Sequence, residues 1–263
     1  MKYKSVYNQW KNEPESFWQN LAKDIIWDAF PKTILNKKNE YLYEWFPDGV
    51  LNTCYNAVDK NIIEGRGDQV AIYYDSPITN TKSKITYNDL RDKVSKFAGG
   101  LKKHNIVKGD RVIIYMPMIP EAIIAMLAVA RLGAVHSVVF GGFASKELAV
   151  RIDDCKPKLI ISASCGFEPN RVVEYKPLLD EALKIAEHKV GKCIIYQRKD
   201  FNADLNSEID IEWFEFLNDA DEAECVMVSG KDPLYILYTS GTTGQPKGVV
   251  RDNGGHAVSL KWS

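Results

Sequence analysis

The stretch LYILYTSGTTGQPKGVV, residues 234–250, concentrates the residues whose types and order can do chemistry. An apolar run leads into Thr239, Ser240, Gly241, Thr242, Thr243 and Gly244, and then into Gln245, Pro246, Lys247 and Gly248. Glycines tolerate positive φ and let backbone N–H groups turn towards an anion. Four hydroxyls in five residues add donors that rotate to suit phosphate oxygens, and Lys247 supplies a charge-assisted contact. Two familiar phosphate loops are excluded by spacing. A G-x-x-x-x-G-K-[ST] loop needs glycine five positions after Gly241, where Pro246 stands, and Lys247 is followed by Gly248 instead of Ser or Thr. A dinucleotide G-x-G-x-x-G is absent as well. The plain alternative is a Gly/Thr hairpin between Tyr238 and Val249, and a bare Gly/Thr cluster leaves both readings open.

The elements that must position this stretch follow from periodicity. Residues 14–27 predict a helix, with Phe17, Trp18, Leu21, Ala22, Ile25 and Ile26 at helical spacing and Pro14 in its first turn. Residues 31–48 are aromatic-rich and run into a Pro-Asp-Gly turn signal; their rings read as core anchors ahead of an interface. Residues 70–74 and 84–87 read as short strands around a turn at Ser76–Pro77. Thr86 and Asp89 resemble a capping box that opens a helix with Leu90, Val94, Phe97, Ala98 and Leu101 on one face. Strand-like runs at 111–116, 135–140, 158–163 and 192–197 then alternate with helical runs at 120–132, 145–155 and 177–188. Strands this apolar, separated by helices, predict an α/β fold with a largely parallel sheet, covered on both faces and linked by right-handed crossovers. Residues 198–232, polar and acidic, read as a surface excursion with a short helix at 211–218.

Composition narrows the function classes. The 263 residues carry 34 Lys+Arg against 35 Asp+Glu and are 45% hydrophobic, which suits a globular protein with a real core. A net charge of -1 leaves no electrostatic footprint for nucleic acid or an anionic membrane. Cys54, Cys155, Cys165, Cys193 and Cys225 are odd in number and form no C-x-x-C pair, which reads as reduced thiols. His104, His136, His188 and His256 show no ligand spacing, so no metal site is expected. The longest apolar stretch, residues 122–130, is far short of the ~20 residues of a membrane helix. No secretory signal opens the chain, and the expected location is intracellular, in cytoplasm or mitochondrial matrix.

The full string at 238–249 resembles the phosphate-binding signature of the adenylate-forming enzymes, the acyl-CoA synthetases and their relatives, Y-T-S-G-[ST]-T-G-x-P-K-G-V. FGGF at 140–143, CGFEPNR at 165–171, Gly254–Gly255 and the N-terminal WKNEPESFW resemble the acetyl- and propionyl-CoA synthetase group. GVVRDNGGHAVSL is closer to the propionyl branch. The resemblance implies the N-terminal part of the adenylate-forming fold: a helical region of acetyl-CoA synthetase type at 1–57, then a partial AMP-binding domain at 58–263. It implies ATP with Mg2+, coenzyme A and a short-chain carboxylate as small-molecule substrates, consumed in two steps. The carboxylate attacks the α-phosphate of MgATP to give acyl-adenylate and pyrophosphate, and the thiol of CoA displaces AMP.

By the same resemblance, Thr239 to Lys247 would hold the departing phosphates, with the substrate carboxylate itself as nucleophile. Phe140, Gly141 and Gly142 would approach the adenine end of CoA. Glu168, Pro169, Asn170 and Arg171 would lie near its ribose and 3′-phosphate, with Arg171 as the cation. Glu168 stands where acetyl-CoA synthetases carry another Arg. On position alone, Arg171 could equally be a solvated loop charge and Phe140 the end of a buried strand. His256 stands at a place often filled by Tyr and receives no role. The family pattern continues past Ser263, where the adenine-binding segment, a magnesium-holding Glu and the adenylation Lys are expected, so no catalytic residue is assigned here. The competing expectation is a non-catalytic ATP- or CoA-binding module or partner subunit. A kinase-like phosphate enzyme is disfavoured by the loop spacing.

Overall fold

The computed structural model describes residues 3–239 and 246–263. Two helices open the chain, α1 (Tyr3–Asn12) and α2 (Pro14–Ala22). The expected helix at 14–27 stops at Ala22 because the following backbone finds other partners. The indole Nε1 of Trp27 donates to the Ala22 carbonyl at 2.8 Å, and the Asn56 side chain takes both the N–H and the carbonyl of Ile26 at 2.8 and 2.9 Å. The aromatic stretch does supply core: Trp18, Trp27, Trp45 and Phe46 surround Ala22, Ile25, Ile34 and Leu51, joined by Ala257 and Val258 from the far end of the chain. Tyr41, Leu42 and Tyr43 stay exposed.

A hairpin of Val70–Ser76 with Thr81–Thr86 feeds helix α3 (Tyr87–Lys103). The capping box is present. Thr86 Oγ1 accepts from the Asp89 N–H at 3.1 Å, and Asp89 Oδ2 accepts from the Thr86 N–H at 3.0 Å. The apolar face of α3 is buried as its spacing predicts.

The main sheet has seven strands: β1 (Arg111–Tyr115), β2 (Val135–Val138), β3 (Leu159–Ala163), β4 (Lys192–Tyr196), β5 (Asp210–Glu212), β6 (Pro233–Thr239) and β7 (Lys247–Asp252). Between and after these strands run helices α4 (Pro120–Arg131), α5 (Ser145–Cys155), α6 (Tyr175–Ile185) and α7 (Asn253–Trp262). The strand order is β5-β4-β3-β1-β2-β6-β7, and every neighbouring pair is parallel except β6 with β7. Period-two alternation divides the strands between two layers. Val112, Ile114, Leu159, Ile161 and Ile194 face a core shared with α3 and α4. Ile113, Tyr115, Ile160, Cys193 and Ile195 face a second core shared with α5 and α6. Each large apolar side chain so buried contributes roughly 1.5–3 kcal/mol of transfer free energy.

Three expectations are corrected. Strand β2 stops at Val138 instead of 140: the Val139 N–H still reaches the Ile114 carbonyl at 2.9 Å, and then a turn closes from the Phe143 N–H to the Phe140 carbonyl. Phe140 is therefore not the end of a buried strand; it is 70% exposed. Residues 198–232 are not simply a surface excursion. Trp213, Phe216 and Ala223 are buried in the α3–α4 core, and Trp213 stacks on Phe97 at 4.2 Å. The expected helix at 211–218 is instead β5 followed by one turn at Trp213–Phe216. Between the glycine-rich loop and the final helix lies a strand, β7, that periodicity did not indicate. Among the described residues no helix is long and apolar enough to cross a membrane.

Candidate nucleotide-binding groove

Strand β1 continues through α4 to β2 on one side of the sheet, and β3 continues through α6 to β4 on the other. The two central strands thus send their connections in opposite directions, and the crevice between their carboxyl ends is where open α/β sheets bind ligands. Segments that follow β1, β2, β3 and β4 meet there. Met116 and Ile119, Phe140 to Gly142, Gly166 to Glu168 and Arg198 line a groove of about 550 Å³, with Leu237 of β6 on one wall.

Two glycines of this groove, Gly141 and Gly166, are required by one ring. A methyl group on Gly141 would sit 2.0 Å from the hydroxyl of Tyr175, and one on Gly166 would sit 2.8 Å from it. Tyr175 stacks on Tyr115 at 5.0 Å, and the Tyr115 hydroxyl donates to the Phe143 carbonyl at 2.8 Å. Burial raises the pKa of both phenols, so they remain neutral donors. This pair fixes the turn that presents the Phe140 ring to solvent.

Glu168 and Arg171 flank the Pro169–Asn170 turn of a two-stranded hairpin, Cys165–Glu168 with Arg171–Glu174. Arg171 Nε lies 2.8 Å from Glu168 Oε2, and its Nη2 lies 3.4 Å from Oε1. The hydrogen bond from Arg171 holds the Glu168 carboxyl below its usual range and raises the guanidinium in turn. Glu168 lines the groove; Pro169, Asn170 and Arg171 do not. The structure thus brings Phe140, Gly141, Gly142 and Glu168 together and leaves the Arg171 cation tied to Glu168.

In the glycine-rich stretch, Thr239 ends β6 and Lys247 begins β7, and the two face each other in antiparallel register. Both are exposed. Ser240, Gly241, Thr242, Thr243 and Gly244 lie outside the described residues. The flanking strands pair antiparallel, as the hairpin reading expected, whereas the phosphate-loop reading falls mostly on residues outside the described ones.

Sequence reasoning missed two residues here. Arg151 of α5 lies over the Phe143 ring at 4.5 Å and the Tyr238 ring at 5.5 Å, and so joins the Phe140–Phe143 turn to the end of β6. Its Nη1 also reaches Glu147 Oε2 at 2.9 Å. Arg198, just past β4, lies over the Phe167 ring at 4.9 Å. Neither belongs to a local motif; only the fold brings Arg198 to the groove and Arg151 to the Phe143 and Tyr238 rings beside it.

Two other clusters lie away from the groove. His256 meets Tyr235 edge-on at 4.9 Å, and His136 stacks with the same ring at 5.6 Å. Cys54, Asp59 and Cys225 place their ligand atoms within 4.8 Å of one another, although their spacing in sequence carried no ligand signal. Arg131 already supplies the cation there, with Nη1 2.8 Å from Asp59 Oδ2 and 3.9 Å from Cys54 Sγ. All five cysteines are free.

Comparison with known proteins shows the family and the fold. The family profile described as AMP-binding enzyme matches residues 60–262, and the one described as acetyl-coenzyme A synthetase N-terminus matches residues 3–57. The chain is 53% identical to the human protein named acyl-CoA synthetase short-chain family member 3, mitochondrial, over 263 residues, which is 99% of this chain and 38% of the relative. It is 40% identical to acetyl-coenzyme A synthetase from Xylella fastidiosa over 268 residues, 99% of this chain and 41% of that protein. The chain thus spans about two fifths of the length of these curated relatives. Acetoacetyl-CoA synthetase from Streptomyces lividans superposes with a TM-score of 0.89 over 99% of this chain and 40% of that one, at 23% identity, and so has the same fold. With 60–262 matched as one unit behind a matched N-terminal region, the chain belongs to the AMP-binding enzyme family.

Proposed function

We propose that this chain is the front portion of an ATP-dependent carboxylate–CoA ligase acting on a short-chain acid, with propionate preferred over acetate. Residues 1–57 would form its N-terminal helical region and 58–263 the first part of its adenylation domain. The observation that carries the reading is the groove at the strand reversal, where Phe140–Gly142 and Gly166–Glu168 converge, with Phe140–Gly142 following β2, the strand next to β6, from which the glycine-rich connection leaves. A groove with an exposed ring, two glycine-lined backbone segments and neighbouring guanidinium groups suits the flat, anionic nucleotide end of CoA. The names of the relatives support the acid–thiol ligase class, and the word mitochondrial in one of them supports the mitochondrial side of the expected location.

In the first step the carboxylate attacks the α-phosphorus of MgATP and pyrophosphate leaves. Negative charge grows on the departing oxygens, and Thr239, Ser240, Gly241, Thr242, Thr243, Gly244 and Lys247 supply the donors and the cation that stabilise it. In the second step the CoA sulfur attacks the acyl carbon and AMP leaves with the bonding electron pair. The residues of the groove hold the nucleotide end of CoA, with Phe140 against the base and Gly141 and Gly142 allowing its close approach. Glu168 lines the groove, and Pro169, Asn170 and Arg171 follow it in the adjoining hairpin turn, the side proposed for the ribose and 3′-phosphate.

The test uses the native polypeptide, captured with an antibody raised against residues 1–263 and supplied with ATP, CoA and either propionate or acetate. The reading expects AMP, pyrophosphate and acyl-CoA in equal amounts, with propionate the better acid. Release of ADP and phosphate, or CoA binding without turnover of any short-chain acid, contradicts it.

A further inference from the structure

The end of β6 projects past its inner neighbour. β6 pairs with β2 at Tyr235 and His136, and one rung on the Ser137 hydroxyl donates to the Ile236 carbonyl at 3.0 Å. β2 then ends at Val138, and its chain turns away through Phe140–Phe143. Among the described residues, Leu237 to Thr239 therefore keep ladder partners only on the β7 side. Pairing along one edge leaves the tilt of the hairpin undetermined, and the glycine-rich connection leaves the sheet from this hairpin.

Helix α5 supplies the missing constraint. Glu147, Arg151 and Asp154 stand at i, i+4 and i+7 and so share one face. Asp154 Oδ2 accepts from the Tyr238 hydroxyl at 2.6 Å, a short bond of the charge-assisted kind. Burial, together with this bond, raises the pKa of the phenol, which stays a donor. The buried guanidinium of Arg151 lies over the same ring at 5.5 Å and is itself held by Glu147, through its carbonyl at 2.5 Å and Oε2 at 2.9 Å. On the β7 side Gly248 leaves room for the ring, since a methyl there would sit 3.2 Å from Tyr238 Cε1. The next rung, Thr239 with Lys247, is exposed, and its side-chain contact, Thr239 Oγ1 to the Lys247 carbonyl, is long at 3.5 Å. Tyr238 is thus the last rung that the rest of the domain grips.

We propose that Asp154 is a positioning residue for the phosphate step: acting through Tyr238, with Arg151 steadying the ring, it sets the direction in which Thr239 and Lys247 meet the phosphates of ATP. This rests on the reading of the chain as the front of a carboxylate–CoA ligase. The role is geometric, because donors stabilise a departing pyrophosphate only if they are in place before its charge develops. Asp154 is itself exposed, so its bond adds little to global stability, and an effect on rate is separable from unfolding.

The native-length protein carrying Tyr238→Phe, Asp154→Asn, Asp154→Ala or the pair Tyr238→Phe with Asp154→Ala is mixed with ATP and a short-chain acid. Pyrophosphate release is followed in a single turnover, beside ATP affinity and the denaturant midpoint. Tyr238→Phe and Asp154→Ala are each expected to slow release by about 10-fold or more, the scale of a small misplacement, with ATP affinity and midpoint nearly unchanged. Asp154→Asn, whose side-chain carbonyl can still accept from the phenol, recovers most of the rate. The paired variant is no slower than either single one, because both remove the same bond. Release at the unaltered rate in either single variant overturns the proposal. So does a paired variant slowed by the product of the two single effects, an Asp154→Asn as slow as Asp154→Ala, or a slowing that tracks a lowered midpoint, which marks a packing role. Should Asp154→Ala not fold, Tyr238→Phe and Asp154→Asn are read against the same outcomes. If the unaltered protein releases no pyrophosphate with any short-chain acid, the functional reading fails and this assignment falls with it; if the unaltered protein and Tyr238→Phe release it equally fast, only the assignment fails.

Discussion

Gly141 lies against Tyr175 so closely that a methyl group on its α-carbon would sit 2.0 Å from the phenol oxygen and 2.5 Å from the ring. The ring has no room to retreat, because it is buried and stacked on Tyr115. Gly141→Ala is therefore expected to destabilise the fold by about 1–3 kcal/mol, the usual cost of overpacking. It should also displace the Phe140 turn and weaken CoA binding. Gly142→Ala is the control: its methyl would meet only the exposed Phe140 ring at 2.6 Å, which can rotate away, so stability should hardly change. Denaturant midpoints of the two variants check the contrast.

Arg131 and Asp59 form a pair that ties α4 to the segment after the N-terminal region. Arg131 is almost fully buried, its Nη1 reaches both Asp59 oxygens, and its Nε donates to the Ala223 carbonyl at 2.6 Å. Asp59→Asn leaves a buried guanidinium without its counter-charge, and a loss of about 3–5 kcal/mol is expected. Replacement of the exposed Lys82–Asp75 pair should cost far less. Chemical denaturation of both variants measures the difference.

His136 sets a pH dependence. Its Nδ1 is buried without a hydrogen-bond partner, and burial, assisted by the neighbouring His256, lowers its pKa from 6.5 to about 4. The unfolded chain therefore takes up a proton near pH 6.5, whereas the folded one resists until about 4. Stability is full above pH 6.5 and falls as the pH drops through that window, by up to about 3 kcal/mol. His256, lowered chiefly by burial, adds to the same slope. His136→Leu should flatten the curve of unfolding free energy against pH between 4 and 6.5; an unchanged slope would place the effect elsewhere.

Lys247 opens β7 with its side chain exposed. Lys247→Gln should leave folding and CoA affinity alone but slow the release of pyrophosphate by about 10- to 100-fold, since its charge is asked to act only as the phosphates depart. Single-turnover measurement of pyrophosphate separates this from a binding defect.

The parallel core was legible because each strand is a short apolar run between helices, and burial on both faces demands that pattern. Ser145–Cys155 was expected at its observed limits, and Thr86 with Asp89 announced the start of α3. What escaped depends on partners far along the chain. A methyl on Gly99 would lie 1.6 Å from the Asp221 carbonyl oxygen, a contact across more than a hundred residues that makes part of 198–232 core instead of surface. Strand β7 is exposed along nearly its whole length, Val249 and Val250 included, and holds its place by pairing with β6, so its own periodicity is weak. In the groove, the glycines and Phe140 stood out by motif, whereas Arg198 there and Arg151 beside it are single cations that only the folded chain aligns with aromatic rings.

The most direct test of the groove as a CoA site is amide hydrogen exchange of the native-length protein with and without CoA. The arrangement described here predicts protection at residues 116–119, 140–143, 164–168 and 197–199, with α1 unchanged. Protection confined to other segments, with these four exchanging at the same rate in both samples, would contradict it.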